Sequence, residues 1–173
     1  MIKKFNYFFQ AFLIYLIFFI GRILGIKISR KLFSHIFCLI GPIFKSKNII
    51  TSNIKNFSKN ISESEIKDIM DNMWRNYGMT FIEYIFLDYF RKNNNHVEII
   101  GLNNISEQIE GGKPVIFVSG HFANFELMSM EITKKNINLA TIYRPLNNFF
   151  LNPLMEFLRK KYICKNQIKK GIN

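Results

Sequence analysis

The first third of this chain has no acidic residue. Ten lysines or arginines precede Glu63, the first carboxylate. Beyond it fourteen basic residues face twelve acidic ones, so the formal charge of +12 is concentrated at the N-terminus. That third is also strongly apolar. Basic residues flanking or interrupting phenylalanine-rich segments suit an anionic membrane surface better than a nucleic acid, so membrane lipids are expected partners and nucleic acid is not. Cysteine is scarce: Cys38 and Cys164 form no CxxC motif and give no disulfide framework, which fits a reducing compartment. Histidine is scarce as well. Neither His35 nor His96 has metal-ligand spacing to His121, so no metal and no cofactor are expected, and His35, alone among apolar residues, reads as structural. Internal repeats and low-complexity linkers are also lacking.

Long hydrophobic runs are present. A chain of 173 residues suffices for one domain with a core plus an appendage. Phe5 to Gly21, "FNYFFQAFLIYLIFFIG", carries no charge and sits at the short limit for a spanning helix. Lys3 and Lys4 precede it, and Arg22, Lys27, Arg30 and Lys31 follow. No small-residue cleavage site follows, which argues against a removed signal peptide. The larger basic cluster lies C-terminal and places the rest of the chain in the cytoplasm. A buried core helix is the alternative. The next stretch, "RILGIKISRKLFSHIFCLIGPIFK", mixes aliphatic and basic residues like a helix lying on headgroups, interrupted at Gly41-Pro42. The expected division is membrane-anchoring and interfacial helices over 1–45 and an α/β domain over 46–173.

Asn48 to Asn60 is polar and reads as a connection. Ser62 and Glu65 form a capping box, followed by Ile66, Ile69, Met70, Met73 and Trp74 at helical spacing, which reads as core. A second helical stretch runs from about Met79 to Phe90. From Val97 the pattern alternates: "VEIIG" as strand, "NNISEQIEGG" as helix, "KPVIFVSG" as a strand covered on both faces, "FANFELMSMEITKK" as helix, "INLATIY" as strand. "NPLMEFLRKKY" then opens a helix with Asn152 as cap and Pro153 in its first position. The predicted fold class is α/β: an N-terminal membrane helix and helical region, then a mostly parallel sheet with flanking helices.

Ligands of open parallel sheets bind at the carboxyl ends of strands. In "KPVIFVSGHFANFELM" such an end presents Gly120 and His121, with Glu126 five residues on. Gly120 is expected to allow a sharp exit at positive φ and to leave room for a substrate. At the mouth of a helix the imidazole is favoured neutral, as a general base requires. Contact between the pair needs His121 in the turn and Glu126 one turn into the helix; the carboxylate then fixes the ring tautomer. The same residues also serve a plain fold, as a satisfied polar group and an acid complementing a helix dipole. Arg144 follows the next strand directly, where its guanidinium can grip phosphate, and Arg159, Lys160 and Lys161 cluster at the end of the following helix.

"SGHFANFELM" with its His-x4-Glu motif, followed by "YRPLNN" and "NPLMEFLRKK", resembles the late acyltransferases of lipid A biosynthesis (lauroyl/myristoyl acyltransferases). The resemblance covers nearly the whole chain. It implies a glycerolipid-acyltransferase-like fold and a concrete reaction. His121 takes the proton of a hydroxyl on a lipid A precursor, the oxygen attacks a thioester of acyl carrier protein, and Glu126 orients His121. Arg144, Arg159 and Asn124 are the implied substrate-binding residues, and Phe122 and Phe125 line an acyl pocket or pack the core. The implied location is the cytoplasmic face of a bacterial inner membrane, with a single N-terminal anchor. Family members add further strands, one ending in an Asp-Gln pair that this sequence lacks. The chain is therefore expected to be an incomplete portion, inactive alone. A glycerolipid acyltransferase and a non-catalytic membrane remnant are the alternatives.

Overall fold

The computed structural model describes residues 2–171, without the side chains of Leu102, Ser106 and Glu110. The chain divides into two compact units. One comprises Met1–Leu87 with Pro145–Leu158, the other Asp88–Arg144 with Arg159–Asn173.

The first unit is helical: α1 (Ile2–Phe44), α2 (Lys47–Phe57), α3 (Glu63–Glu83), and later α7 (Asn152–Leu158). A 3-10 turn, Tyr84–Phe86, extends α3. The break in α1 lies at Gly25 (φ 75°, ψ 164°), not at Gly41-Pro42; the helix runs on past Pro42 to Phe44. Those Gly25 angles are open essentially to glycine alone. From beyond the kink the buried Ser29 hydroxyl reaches back and donates to the Gly21 carbonyl at 2.8 Å. Gly41 has a different role: a Cβ there would overlap the Trp74 indole, and one on Gly78 would overlap the Phe33 carbonyl. Missing side chains thus let α1 and α3 approach closely. Phe18, Phe33 and Phe37 gather around Phe81 with ring centroids 5.2, 6.0 and 5.4 Å away.

The segment expected as a connection is α2. Ile50 and Ile54, one helical turn apart, pack with Ile66, Met70 and Trp74 into a core cluster. Each such buried side chain contributes about 1.5–3 kcal/mol. Of the predicted α3 core positions, Ile69 is exposed. The capping box forms as read: the Ser62 hydroxyl accepts from the Glu65 N–H at 3.3 Å, and the Glu65 carboxylate accepts from the Ser62 N–H at 2.9 Å. Irregular residues 144–151 and α7 lead off from the end of the sheet. Asn148 is buried, donating to the Tyr7 carbonyl (2.8 Å) and accepting from the Phe150 N–H (3.1 Å).

The second unit holds α4 (Leu87–Lys92, begun at the boundary), α5 (Leu102–Glu110), α6 (Glu126–Lys134), β1 (Ala140–Tyr143), a π-helical turn Arg159–Ile163, and β2 (Asn166–Lys169). The parallel sheet is present as a two-stranded ladder, with Thr141 opposite Gln167 and Ile142 opposite Ile168. β2 was not foreseen, because "NQIK" has neither an apolar run nor clean alternation. Its register is supported by Gln167 Nε2 donating to Thr141 Oγ1 at 2.7 Å. The segments 97–100 and 113–120, expected as strands, carry no ladder. Ile116 and Val118 are 89% and 91% exposed, so the run is apolar but uncovered. A strand's backbone bonds lie with its neighbours, and sequence pattern alone does not supply those neighbours.

Candidate active site

The second unit contains a cleft of about 1020 Å³ whose lining includes His121, Glu126, Arg144 and Arg159. Its apolar wall comes from Val115, Phe117, Met128, Ile132, Leu139 and Ile142. A few convergent polar groups in an apolar hollow form the usual setting for a ligand that is mostly hydrocarbon.

The segment before α6 is irregular, and α6 begins at Glu126 itself rather than one turn earlier. Ala123 explains the delay. Its φ of 45° lies in the left-handed region, which a residue with a Cβ adopts only under strain, so helix cannot pass through it. Gly120 is not among the positive-φ glycines, which corrects its expected role. It supplies space instead: a Cβ there would come 2.5 Å from the Phe122 ring. His121 is exposed, and its ring lies against Phe125 with centroids 4.1 Å apart.

Glu126 is buried in the first turn of α6, where the helix dipole favours a carboxylate. Its Oε1 accepts from Arg159 Nε at 2.8 Å and from Arg159 Nη2 at 2.6 Å. Both side chains are largely withdrawn from solvent, at 15% for Arg159 and 9% for Glu126. The π-helical turn carries Arg159, and its i→i−5 bond from the Cys164 N–H to the Arg159 carbonyl measures 3.0 Å. Such turns recur at functional sites. The sequence names both residues but offers Arg159 as a substrate-binding group rather than as the partner of Glu126, since a partner 33 positions away leaves no periodic signal.

Arg144 follows β1 directly, is exposed, and lines the cleft, so it stands at a strand's carboxyl end. Phe125 lines the cleft; Phe122 does not, and is 82% exposed. Asn124 is half-buried, lies outside the lining, and its carbonyl accepts from the Leu127 N–H at 3.1 Å.

A buried ionic cluster joins the end of α6 to the end of α4. Lys134 Nζ donates to Glu131 (2.6 Å) and to the Phe90 and Asn93 carbonyls, closing the end of α4. His96 Nε2 sits 3.3 Å from Glu131 Oε1 without good hydrogen-bond geometry. Burial holds the His96 pKa below 6.5, and the Lys134 charge adds to this against the opposing pull of Glu131.

The family profile of bacterial lipid A biosynthesis acyltransferases matches residues 2–166. The chain belongs to this family. No curated protein and no solved structure gives a significant match. Membership makes acyl transfer in lipid A synthesis the activity of the family, with a lipid A-type acceptor. It also fits the architecture of an N-terminal apolar helix followed by α/β elements around a parallel ladder.

Proposed function

We propose that this chain carries the acyl-transfer site of a lipid A acyltransferase, with acyl carrier protein as thioester donor and His121 as general base. What carries the reading is that His121, Glu126, Arg144 and Arg159, drawn from three separated segments, line one apolar-walled cleft in a chain of this family. His121 Nε2 or Nδ1 removes the acceptor hydroxyl proton as the oxygen attacks the thioester carbonyl. The ester C–O bond forms, the C–S bond breaks, and the proton passes to the departing thiolate. Glu126, gripped by Arg159, holds negative charge at the α6 mouth and stabilises the imidazolium while the acceptor is bound. Arg144 meets acceptor phosphate at the rim. The exposed run at Ile116 and Val118 reads as a strand that further chain pairs and covers in the working enzyme. The enzyme acts at the cytoplasmic face of the inner membrane, attached through α1.

In enzyme expressed from its native locus, His121→Ala is expected to lower kcat about a thousandfold with little change in KM. Unchanged transfer by that variant would remove the general-base assignment. The 173-residue chain alone is expected to transfer no acyl group; robust turnover by it would show that no further strands are needed.

A further inference from the structure

Helix α1 is long and apolar enough to cross a membrane. Its surroundings within the first unit argue for a different placement. Tyr15 Oη donates to the Phe150 carbonyl at 2.9 Å, and Asn148 Nδ2 donates to the Tyr7 carbonyl at 2.8 Å. The Phe149 and Phe150 rings meet Tyr7 and Phe8 edge-on at 6.1 and 5.6 Å. Irregular backbone over 148–150, with Asn147 before it exposed, thus lies alongside α1 from Tyr7 to Tyr15, about 12 Å of its length. Lipid-exposed irregular backbone does not occur in the hydrocarbon layer, because its N–H and C=O groups would have no partners there. The Tyr7–Tyr15 stretch must therefore stand outside that layer. What remains before the Gly25 kink is about 13 Å of helix, far short of the roughly 30 Å a span requires.

The burial pattern agrees. Phe5, Phe9, Phe12, Leu16, Phe19 and Ile23 are exposed and recur every three or four residues along one face. The opposite face buries Ala11, Phe18 and Gly21. Asn6 is exposed at one edge of the stripe, and Arg22, at the other edge, donates to the Ile85 carbonyl at 2.9 Å.

We propose that the first half of α1 lies in the plane of the membrane interface, its phenylalanine stripe dipping into the acyl boundary of an anionic bilayer. The N-terminus then stays on the same side as the rest of the chain. Lysines at 3 and 4, with no acidic residue before Glu63, complement anionic headgroups. The proposal rests on reading α1 as the membrane attachment.

The test labels single cysteines with a membrane-impermeant maleimide in right-side-out and inverted inner-membrane vesicles. Lys3→Cys and Phe57→Cys are each made in the full chain with Cys38→Ser and Cys164→Ser; Phe57 is 95% exposed on α2. Both sites are expected to label in the same vesicle orientation. Labelling in opposite orientations overturns the interfacial placement and leaves membrane attachment standing. Recovery of the unaltered chain in the soluble fraction overturns both. A second measurement needs no cysteine: Phe12→Ser with Phe19→Ser is expected to weaken partition onto phosphatidylglycerol-containing vesicles at least about tenfold. Unchanged partition by that variant, shown folded by circular dichroism, overturns the role of the stripe.

Discussion

The two units solve the burial problem differently. In the first, α1 and α3 meet through Gly41 and Gly78, and aromatic rings close around Phe81. Each helix satisfies its own backbone, so a matching apolar face completes it. In the second, a continuous apolar run, 115–118, has the composition of a central strand, yet Ile116 and Val118 stay uncovered while β1 and β2 form a ladder. A strand needs a neighbour for its hydrogen bonds before burial of its side chains repays the entropy of ordering it. Helical order was therefore reached with local partners, and sheet order only where two segments happened to meet.

The largest expected contrast is in amide exchange. Amides around Met70 to Ile82 in α3 are expected to exchange at least about a thousandfold more slowly than those of 115–118, measured by mass spectrometry in detergent. Comparable protection in both would mean that the apolar run pairs in solution, and the contrast would vanish.

Single substitutions sharpen it. Arg159→Met removes the guanidinium from buried Glu126 and is expected to cost the second unit roughly 4 kcal/mol. Gly78→Leu drives a side chain into the Phe33 backbone and is expected to cost the first unit about 3 kcal/mol. Urea unfolding followed by Trp74 fluorescence reports the first unit directly. A Gly78→Leu variant as stable as the parent would mean that α1 and α3 do not pack closely.

A smaller effect is confined to the second unit. The folded His96 pKa lies below 6.5, so the unfolded chain takes up a proton that the folded state resists. Stability from neutral His96 is full above about pH 6.5 and declines as pH falls below it toward the lowered folded value. Melting near pH 5.5 should come earlier than near pH 7.5, and His96→Gln should reduce that difference. An unchanged pH slope in the variant would assign the acid sensitivity to other groups.

Much of the helical half was legible in advance because its signals are local. Ser62 and Glu65 cap α3 as read, and α5 stops at Gly111 as the glycine pair implied. The α2 helix was missed although Ile50 and Ile54 stand one turn apart, since its polar composition outweighed a two-residue signal. Composition points to Gly41-Pro42 as the interruption of α1, but the positive φ falls on Gly25, and nothing local to that glycine announces it.

At the site, composition and spacing singled out His121, Glu126 and Arg144, because residues that end strands and open helices can be located along the chain. The sequence also carried the family, through ordered blocks that need no coordinates. Only the tertiary structure joined Arg159 to Glu126 and Lys134 to the Phe90 and Asn93 carbonyls, and only it laid an irregular loop along a helix that composition alone reads as a span. Pattern along a chain reports which groups seek burial. Which partners reach them across 33 or 141 residues depends on packing in three dimensions.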